Sequence, residues 1–232
     1  MELYIIRHAQ STNNALTSQE DRGCDPPLTD LGRRQAELLA RHLAAGIQRA
    51  PSSTEPGYGI THLYCSPMCR ALQTAQPLGK ALGLAPEVWI DIHEWGGIYL
   101  DHGESRGTVG YPGKTRSEIL DEFPGYVLPE GITEAGWWNR GHEDKAGCIA
   151  RALRVAQVLQ VRAETESGAR IAIVTHAGFT AMLLKALLDH LPGDGFWYHH
   201  HNTAISRVDF GTEAIQIHYL NRVDHLPPDS VT

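Results

Sequence analysis

Three apolar runs in this sequence end in side chains that can bind an anion or attack phosphorus. These side chains are Arg7 and His8 after residues 3–6, Arg70 after residues 61–65, and His176 after residues 170–175. Arginine forms paired hydrogen bonds with phosphate oxygens, and a neutral imidazole can act as a nucleophile. A single Arg-His pair is more often a solvated strand end, so the argument depends on the repetition. Two arginines and two histidines together suit one phosphoryl group without a metal ion.

The elements around these side chains explain how they could meet. Each of the three apolar runs is predicted as a buried strand, followed by a polar residue and the start of a turn or helix. Ser66 and Pro67 are predicted to open the helix that carries Arg70, with Ser66 as its N-cap. The carboxyl ends of strands in an open parallel sheet share one edge, where ligands bind. We therefore expect the three strand ends to form one site.

The order of these and neighbouring motifs resembles the histidine phosphatase superfamily, also called the phosphoglycerate mutase-like family. The matching stretches cover most of the chain and are Ile6-Arg7-His8-Ala9, residues 28–36, residues 66–75, Glu94 and residues 174–178. Ala9 replaces the glycine of the family's Arg-His-Gly signature, which adds a methyl group that we expect near the phosphate. An ordered set of this kind is far more specific than any one of its pieces.

The resemblance implies a role for each residue of the site. His8 would be the nucleophile that becomes phosphohistidine, and Glu94 would be the general acid and base. His176 would stabilise charge in the transition state, in its protonated form once phosphate is bound. The phosphate-binding set would be Arg7, Asn14, Arg70, His176 and Ala177. The two arginines would also keep His8 neutral and so belong to the catalytic set.

Three assignments stay open on the residues alone. His8 and His176 are the same residue type, and only the resemblance selects His8 as the nucleophile. Asn14 could equally be a turn residue. The alternatives to Glu94 as the acid are Asp91, Asp101 and Glu104.

The predicted fold is a three-layer α/β/α fold, in which the middle layer is a mostly parallel central sheet. The third strand is predicted at residues 86–92, and the helices at about residues 29–43, 67–82, 139–166 and 177–188. Residues 203–210 and 214–220 predict an antiparallel hairpin that forms one edge region of the sheet. We expect a single domain over residues 1–232, with loops at residues 12–27 and 50–59.

Residues 95–138 are predicted to form a lid-like insertion over the substrate. They hold seven of the 17 aromatic residues and nine of the 23 glycines, a mixture that suits a lid but also a small satellite core. Acidic residues outnumber basic ones by nine to five over residues 101–145, which favours a monophosphate with an organic body. The basic residues that could steady such a ligand are Arg106, Lys114 and Arg116.

Composition limits the partners and the compartment. The net charge of −7 and the pI near 6.0 argue against nucleic acid or an anionic membrane as partner. No stretch approaches the ~20 apolar residues of a membrane span. The start of the sequence, Met1-Glu2-Leu3, also lacks the basic residues of a signal peptide. A cytoplasmic protein is therefore expected, and a homodimer is left open.

The cysteines and the histidine run at residues 199–201 do not indicate a metal site. The four cysteines form no Cys-x-x-Cys pair and are expected to be reduced thiols. Cys69, beside Arg70, is the one expected to be sensitive to oxidation. Three adjacent histidines point in different directions and seldom bind one ion. We expect neither a metal nor another cofactor.

These features predict a metal-independent phosphomonoesterase that acts through phosphohistidine on a small phosphorylated metabolite. The first alternative is a phosphoglycerate mutase with the same chemistry, in which the phosphoryl group returns to the substrate. The acidic balance of the insertion favours hydrolysis. The second alternative is a catalytically silent phospho-ligand or protein-interaction module, which the retention of both histidines, both arginines and a candidate acid disfavours.

Overall fold

The computed structural model describes residues 1–45, 57–193 and 195–232, and these residues contain eight strands and five α-helices. In chain order they are β1 (Glu2–Arg7), α1 (Asp30–Ala45), β2 (His62–Cys65), α2 (Cys69–Leu82), β3 (Glu87–Val88), β4 (Tyr99–Asp101), β5 (Thr108–Gly110), α3 (Arg116–Glu122), α4 (Lys145–Thr165), β6 (Arg170–Thr175), α5 (Ala177–Leu187), β7 (Ile205–Phe210) and β8 (Ile215–Arg222). The loop predicted at residues 12–27 contains only short 3-10 turns. The loop predicted at residues 50–59 falls mostly outside the described residues.

Six strands form the central sheet in the order β3-β2-β6-β1-β7-β8. The strands from β3 to β1 are parallel, whereas β7 is antiparallel to β1 and β8 is antiparallel to β7. Arg7 at the end of β1 stands opposite Thr175 at the end of β6. The next residues, His8 and His176, therefore reach the same edge of the sheet. The predicted mostly parallel sheet with an antiparallel edge region is confirmed.

Alternating side chains of the sheet build a separate apolar core on each face. Leu3 and Ile5 pack in one core with residues of α4 and α5. Tyr4 and Ile6 pack in the other core with residues of α1 and α2. Because neighbouring side chains of a strand point to opposite faces, a strand that is apolar at every position must be covered on both sides. The three-layer arrangement that this pattern predicts is confirmed.

The α4 helix begins later than the predicted start at residue 139. Asp144 caps it and accepts a hydrogen bond from Gly147 N at 2.8 Å. The residues before the cap join the insertion instead, since Glu143 N donates to Gly96 O at 3.0 Å. The Asp144 cap thus sets the start of α4, which the apolar periodicity alone placed too early.

The α2 helix also begins later than predicted, and Ser66 is not its N-cap. The first helical residue is Cys69 rather than Pro67. The N–H of Cys69 donates to the carboxylate of Asp25, which comes from the loop before α1. A distant carboxylate therefore takes the role that the sequence assigned to the local serine.

The third strand is much shorter than the predicted run at residues 86–92. β3 contains two residues, and a 3-10 turn at Ile90–Ile92 follows it. The carbonyl of Ile92 accepts a hydrogen bond from Thr175 Oγ1 at 2.6 Å rather than from a neighbouring strand. A side chain thus satisfies a backbone group that would otherwise need a partner in the sheet.

The segment predicted as an insertion, residues 95–138, contributes four of its seven aromatic side chains to the core. Its strands β4 and β5 pair as a small separate sheet, and α3 follows them. The aromatic residues that it buries in the core on the α2 face are Phe123, Tyr126, Trp137 and Trp138. For these four aromatic residues, packing in a core is therefore the correct alternative to a place in a lid.

The helices of the described ranges offer no candidate for a membrane span. None combines the length with the apolar content that crossing a bilayer requires. Even α4, which has 21 residues, carries Lys145, Arg154 and Arg162 along its length.

Candidate active site

The strand ends that carry the predicted site residues meet at one edge of the sheet. His8 N donates to Thr175 O at 2.8 Å, which ties the end of β1 to the end of β6. The rings of His8 and His176 lie 5.0 Å apart, measured between their centroids. The first turn of α2 brings Arg70 to the same place, where its Nε lies 3.1 Å from His8 Nε2.

His8 is a buried imidazole whose tautomer is fixed by the backbone. Its Nδ1 lies 2.7 Å from Ala9 O, and because a carbonyl oxygen can only accept, Nδ1 carries the ring proton. Nε2 is then unprotonated and accepts the hydrogen bond from Arg70. Burial, followed by the charges of Arg70 and Arg7, holds the pKa of His8 well below its usual range. A lone pair on Nε2 is thus present at neutral pH, as a nucleophile requires.

The two arginines place positive charge beside His8. Arg7 Nη1 donates to His200 O at 2.6 Å, whereas Arg7 Nε is buried and has no hydrogen-bond partner in the described part of the chain. Arg70 Nη1 lies 3.8 Å from Asp25 Oδ1. Burial lowers the pKa of both arginines, yet guanidinium groups stay charged at neutral pH. An anion with several acceptor oxygens would match this pair.

His176 is buried at the N-terminus of α5, beside the ring of His8. Its Nε2 lies 2.8 Å from Ser66 Oγ, and its Nδ1 has no hydrogen-bond partner among the described residues. Burial, followed by the charge of Arg70, holds the pKa of His176 well below its usual range. The ring is therefore neutral in the free protein. Its protonation on phosphate binding would need the charge of the bound anion and stays a prediction.

Backbone hydrogen bonds fix Glu94 at the N-terminus of α5. Its Oε1 accepts from Phe179 N at 2.8 Å and from Trp95 N at 2.9 Å, and its Oε2 accepts from Gly178 N at 3.2 Å. The N-terminus of a helix favours a carboxylate because its N–H groups are free and its dipole is positive there. Glu94 borders the same cavity as His8, which is the position that a proton donor to the substrate needs.

The other carboxylates considered for the acid role lie elsewhere. Asp91 and Asp101 interact with neighbouring groups on the surface, and Glu104 is exposed. None of the three borders the cavity that contains His8. The geometry therefore favours Glu94.

Gly178 leaves the space that the Glu94 carboxylate occupies. A Cβ atom at position 178 would lie 2.6 Å from Glu94 Oε1. We expect Gly178→Ala to displace the carboxylate and lower kcat at least ~10-fold, because a misplaced catalytic group loses most of its effect. Overpacking should cost only ~1–3 kcal/mol of unfolding free energy. Steady-state kinetics and urea unfolding check both values.

Gly168→Ala is the matched control for this prediction. A Cβ atom at position 168 would have no neighbour within 4 Å, so kcat and stability should change little. An unchanged kcat in a folded Gly178→Ala variant would show that the position of the Glu94 carboxylate does not limit the reaction.

The methyl group of Ala9 lies away from the site, contrary to the expectation. Ala9 is fully buried and packs with Leu28 and Ala36 in a small apolar cluster. Its N–H donates to Thr74 Oγ1 at 3.0 Å. The methyl group of Ala9 is thus accommodated in this apolar cluster, and Ala9 does not border the cavity of His8.

Asn14 and Ala177 occupy different positions relative to the cavity. Asn14 borders it, and its Oδ1 accepts hydrogen bonds from Ser11 and Asn202. The amide NH₂ group is thus the part of Asn14 that remains for a ligand. Ala177 does not border the cavity, but it is the first residue of α5 and its N–H has no acceptor within the helix. Phosphate binding by both residues stays a prediction.

The cavity beside His8 has a volume of about 220 Å³. The predicted site residues that line it are Arg7, His8, Asn14, Arg70 and Glu94. His176 is not among them, although its ring lies 5.0 Å from that of His8. A larger groove of about 930 Å³ between α1 and α2 borders none of the predicted catalytic residues. The small cavity is therefore the candidate active site.

The basic residues that the sequence offered for steadying the substrate do not reach this cavity. Lys114 pairs with Glu122 at 2.6 Å, Arg116 donates to backbone carbonyl groups, and neither borders the cavity, nor does Arg106. Arg22, from the loop at residues 12–27, borders it instead. Trp95 and Tyr99, from the start of the insertion, also line the wall.

Sequence reasoning missed the residues that hold the site from behind. They are Asp25, Ser66, Thr74, His200 and Asn202. Asn202, for example, donates through Nδ2 to His8 O at 2.9 Å. Each of these residues is far along the chain from the group that it contacts, so no local pattern signals it.

Cys69 is a poor candidate for oxidation, contrary to the expectation. Burial raises the pKa of its thiol to about 12, so the reactive thiolate is scarce at neutral pH. All four cysteines are free. Within the described ranges, no group of three or more histidine, cysteine or acidic side chains is arranged to hold a metal ion.

Buried neutral histidines should make the stability of this protein sensitive to acid. Burial lowers the pKa of His93 to about 3 and of His200 to about 4, and it also lowers the pKa of His8 and His176. In the unfolded chain these rings would bind protons below about pH 6.5. The unfolding free energy should therefore fall as the pH drops from about 6.5 to 4, by up to ~1.4 kcal/mol per pH unit for each ring.

Urea unfolding at pH 7.5, 6 and 5 checks this expectation. One carboxyl opposes it, since burial raises the pKa of Asp25 to about 6 and its protonation between about pH 6 and 4 favours the folded state. One such group does not offset four histidines. An unfolding free energy that stays constant or rises toward pH 5 would contradict the neutral buried rings.

The sequence is similar to those of a known protein family over almost its whole length. The profile of the "Histidine phosphatase superfamily (branch 1)" matches residues 3–223. A probable phosphoglycerate mutase, GpmB, of Yersinia pestis (strain Pestoides F) is 25% identical over 212 residues, which cover 90% of this chain and 85% of the relative.

Solved structures share the fold over almost the whole chain. Phosphoserine phosphatase from Entamoeba histolytica, in complex with 3-phosphoglyceric acid, superposes with a TM-score of 0.60 at 20% identity and covers 97% of this chain and 99% of that one. A mycobacterial glucosyl-3-phosphoglycerate phosphatase in complex with VO3 has a TM-score of 0.58 at 21% identity, with coverage of 96% and 99%. The match to the family profile over nearly the whole sequence shows that this protein belongs to branch 1 of the histidine phosphatase superfamily.

Proposed function

We propose that this protein is a metal-independent phosphomonoesterase that acts through a phosphohistidine at His8. The observation that carries the proposal is the state of His8. Its Nδ1 proton is held by Ala9 O, and its Nε2 lone pair lies at a cavity bordered by Arg7 and Arg70. Nucleophile, charge and space for a phosphoryl group thus coincide.

In the first step, His8 Nε2 attacks phosphorus and the bond from phosphorus to the ester oxygen breaks. Glu94 enters this step as the carboxylic acid, and the departing oxygen takes its proton and leaves as an alcohol. Arg70 Nε now donates to the lone pair that must attack, so it has to exchange this acceptor for a phosphoryl oxygen. Arg7 Nε, a buried donor without a partner in the described chain, would gain an acceptor in the same event.

In the second step, the Glu94 carboxylate takes a proton from water, and the resulting nucleophile attacks the phosphohistidine. The bond from phosphorus to His8 Nε2 breaks, and the ring returns to its neutral state. The sum is ester and water giving alcohol and inorganic phosphate. His176, once protonated by the influence of the bound anion, would stabilise the charge that develops on the phosphoryl oxygens.

The size and lining of the cavity support a small substrate. A volume of about 220 Å³ lies below the usual range of drug-sized pockets, so it suits a phosphoryl group with a short organic body. Arg22 adds positive charge to the wall. The structural neighbours named as binding 3-phosphoglyceric acid and phosphoserine support an acidic monophosphate of this kind.

The insertion at residues 95–138 is proposed to close over this substrate. Its buried part packs against the core, and its first residues, Trp95, Gly97 and Tyr99, border the cavity. A lid of this type would exclude bulk water while the phosphoryl group is transferred.

A phosphoglycerate mutase is the second candidate, because the relatives named as probable mutases match 90% of this chain. It shares the first step with the phosphatase but returns the phosphoryl group to the glycerate. A mutase must keep water from the phosphohistidine. The acidic balance of residues 101–145 does not bear on this choice, because none of these residues borders the cavity. The small cavity volume of about 220 Å³ favours a monophosphate over a bisphosphate.

Incubation with 3-phosphoglycerate, a trace of the bisphosphate and a chelator tests both candidates. We expect inorganic phosphate to accumulate, without loss of rate in the chelator and without 2-phosphoglycerate. Phosphoserine and glycerol 3-phosphate serve as comparison substrates. Rapid formation of 2-phosphoglycerate would make the mutase correct, and loss of activity that zinc or magnesium restores would overturn the metal-independent mechanism.

A further inference from the structure

Asp25 is a carboxylate that the mechanism above does not use; it contacts Arg70 but does not itself border the cavity of His8. It belongs to the loop between β1 and α1, and its side chain is only 14% exposed. Cys69 N, at the start of α2, donates to its Oδ1 at 3.0 Å and to its Oδ2 at 3.2 Å. Two contacts from one N–H fix the orientation of the carboxylate against the helix.

The next residue of α2 links this carboxylate to the nucleophile. Arg70 Nη1 lies 3.8 Å from Asp25 Oδ1, and Arg70 Nε donates to His8 Nε2 at 3.1 Å. The guanidinium is therefore held from two sides, by a carboxylate at one end and by the imidazole at the other. The hold on the imidazole side must be released in each turnover, because the lone pair of Nε2 is needed for attack.

We propose that Asp25 is a positioning residue that anchors Arg70 while Arg70 moves from His8 to the phosphoryl group. The proposal rests on the proposed phosphohistidine function. Without the anchor, substrate binding would have to order a guanidinium that has lost its carboxylate partner. With it, Nη1 stays in place and only Nε exchanges its acceptor, from the imidazole to a phosphoryl oxygen.

The charge of Asp25 should depend on pH in a useful range. Burial raises the pKa of Asp25 to about 6, although Arg70 and the N–H of Cys69 oppose this shift. The other charged groups that act on it are Lys114, which lowers its pKa, and Glu122, which raises it. As the pH falls through about 6, Asp25 becomes neutral and its attraction for Arg70 is lost.

The variant Asp25→Asn separates this role from simple capping of α2. The asparagine oxygen can still accept the N–H of Cys69, but the side chain carries no charge for Arg70. The matched control is Asp21→Asn, which removes an exposed charge from the same loop and borders no part of the cavity. Urea unfolding of each variant confirms that it is folded.

A double-mutant cycle with Arg70→Gln tests the proposal. With an aryl phosphate, whose good leaving group keeps slow variants measurable, Asp25→Asn should lower kcat/KM at least ~10-fold, as a displaced binding group does. In the Arg70→Gln background, Asp25→Asn should lower kcat/KM by less than ~2-fold. A similar loss in both backgrounds, or no loss in the wild type, would overturn the proposal.

The pH dependence supplies a readout that a purely structural role would not change. The ratio of kcat/KM between wild type and Asp25→Asn should be large above pH 7 and approach one near pH 5, and the titration of the substrate cancels in this ratio. A ratio independent of pH would overturn the proposal.

Calorimetric titration with inorganic phosphate repeats the double-mutant cycle without turnover. The role of Asp25 can therefore be tested even if the protein is not a phosphatase. The affinity should fall with Asp25→Asn in the wild type and hardly change in Arg70→Gln. If hydrolysis requires His8 but the Asp25 and Arg70 substitutions show no coupling in phosphate affinity, the anchoring role of Asp25 is wrong and the proposed function still stands.

Discussion

The variant His8→Ala is expected to lose phosphate release from monoesters by at least ~10⁴-fold, because it removes the atom that bonds to phosphorus. The loss should appear in kcat and be equally large for activated and unactivated esters, since both share this nucleophile. Substrate binding should persist, because Arg7 and Arg70 remain. Single-turnover kinetics and calorimetry with inorganic phosphate measure the two effects separately.

His62→Ala provides the control for the His8 variant. His62 lies on β2, away from the cavity, so its loss should leave kcat within a factor of ~2. If His8→Ala stays folded by urea unfolding and retains a substantial fraction of activity, the nucleophile must be another group.

The variant Glu94→Gln should slow the release of an alkyl alcohol by ~10²–10⁴-fold, the usual size of general acid catalysis. An alkoxide is strongly basic and needs a proton as it leaves, whereas an activated aryl oxide needs little help. Phosphorylation of the enzyme by an aryl ester should therefore slow much less. Because the same carboxylate is proposed to activate water later, the comparison uses the single-turnover phosphorylation step.

Glu104→Gln is the matched control for the Glu94 variant. Glu104 was an alternative acid in the sequence, but it is exposed and outside the cavity. Glu104→Gln should leave the phosphorylation rate unchanged with both the alkyl and the aryl ester. Equal slowing of both esters in Glu94→Gln would remove this carboxylate from the acid role and leave it only a part in binding.

The sequence predicted the strand ends of the site because their signals are local. An apolar run buried on both faces, then a histidine or arginine, then a helix start describes a strand that ends at a ligand site. The edge shared by His8, Arg70 and His176 follows from the parallel order of the sheet. The layer arrangement follows from strands that are apolar at every position.

The parts that sequence reasoning missed depend on contacts between distant segments. Asp25 meets the start of α2 across 44 residues, and Asn202 meets His8 across 194. No spacing pattern reports such pairs. The errors at β3 and at the start of α2 have the same origin, since a side chain from a distant segment satisfies the backbone groups there. The error at the start of α4 is different, because the local cap Asp144 sets that start.

The insertion shows why composition alone could not choose between a lid and a core. Aromatic residues suit both, and the structure divides them, with Trp137 and Trp138 in the core and Trp95 and Tyr99 at the cavity. Arg106, Lys114 and Arg116 were considered as ligand contacts because the sequence shows their charge but not where they lie in the fold. Arg22, which the sequence analysis did not single out, borders the cavity instead.

Trapping the covalent intermediate tests the central claim most directly. Brief mixing with a ³²P-labelled phosphomonoester, quenched in base, should leave label on the peptide that contains His8, and acid should remove it because phosphoramidates are acid-labile. His8→Ala should carry no label. Label on a cysteine, a serine or His176, or rapid hydrolysis by wild-type protein with no trapped label under any quench, would contradict the phosphohistidine mechanism.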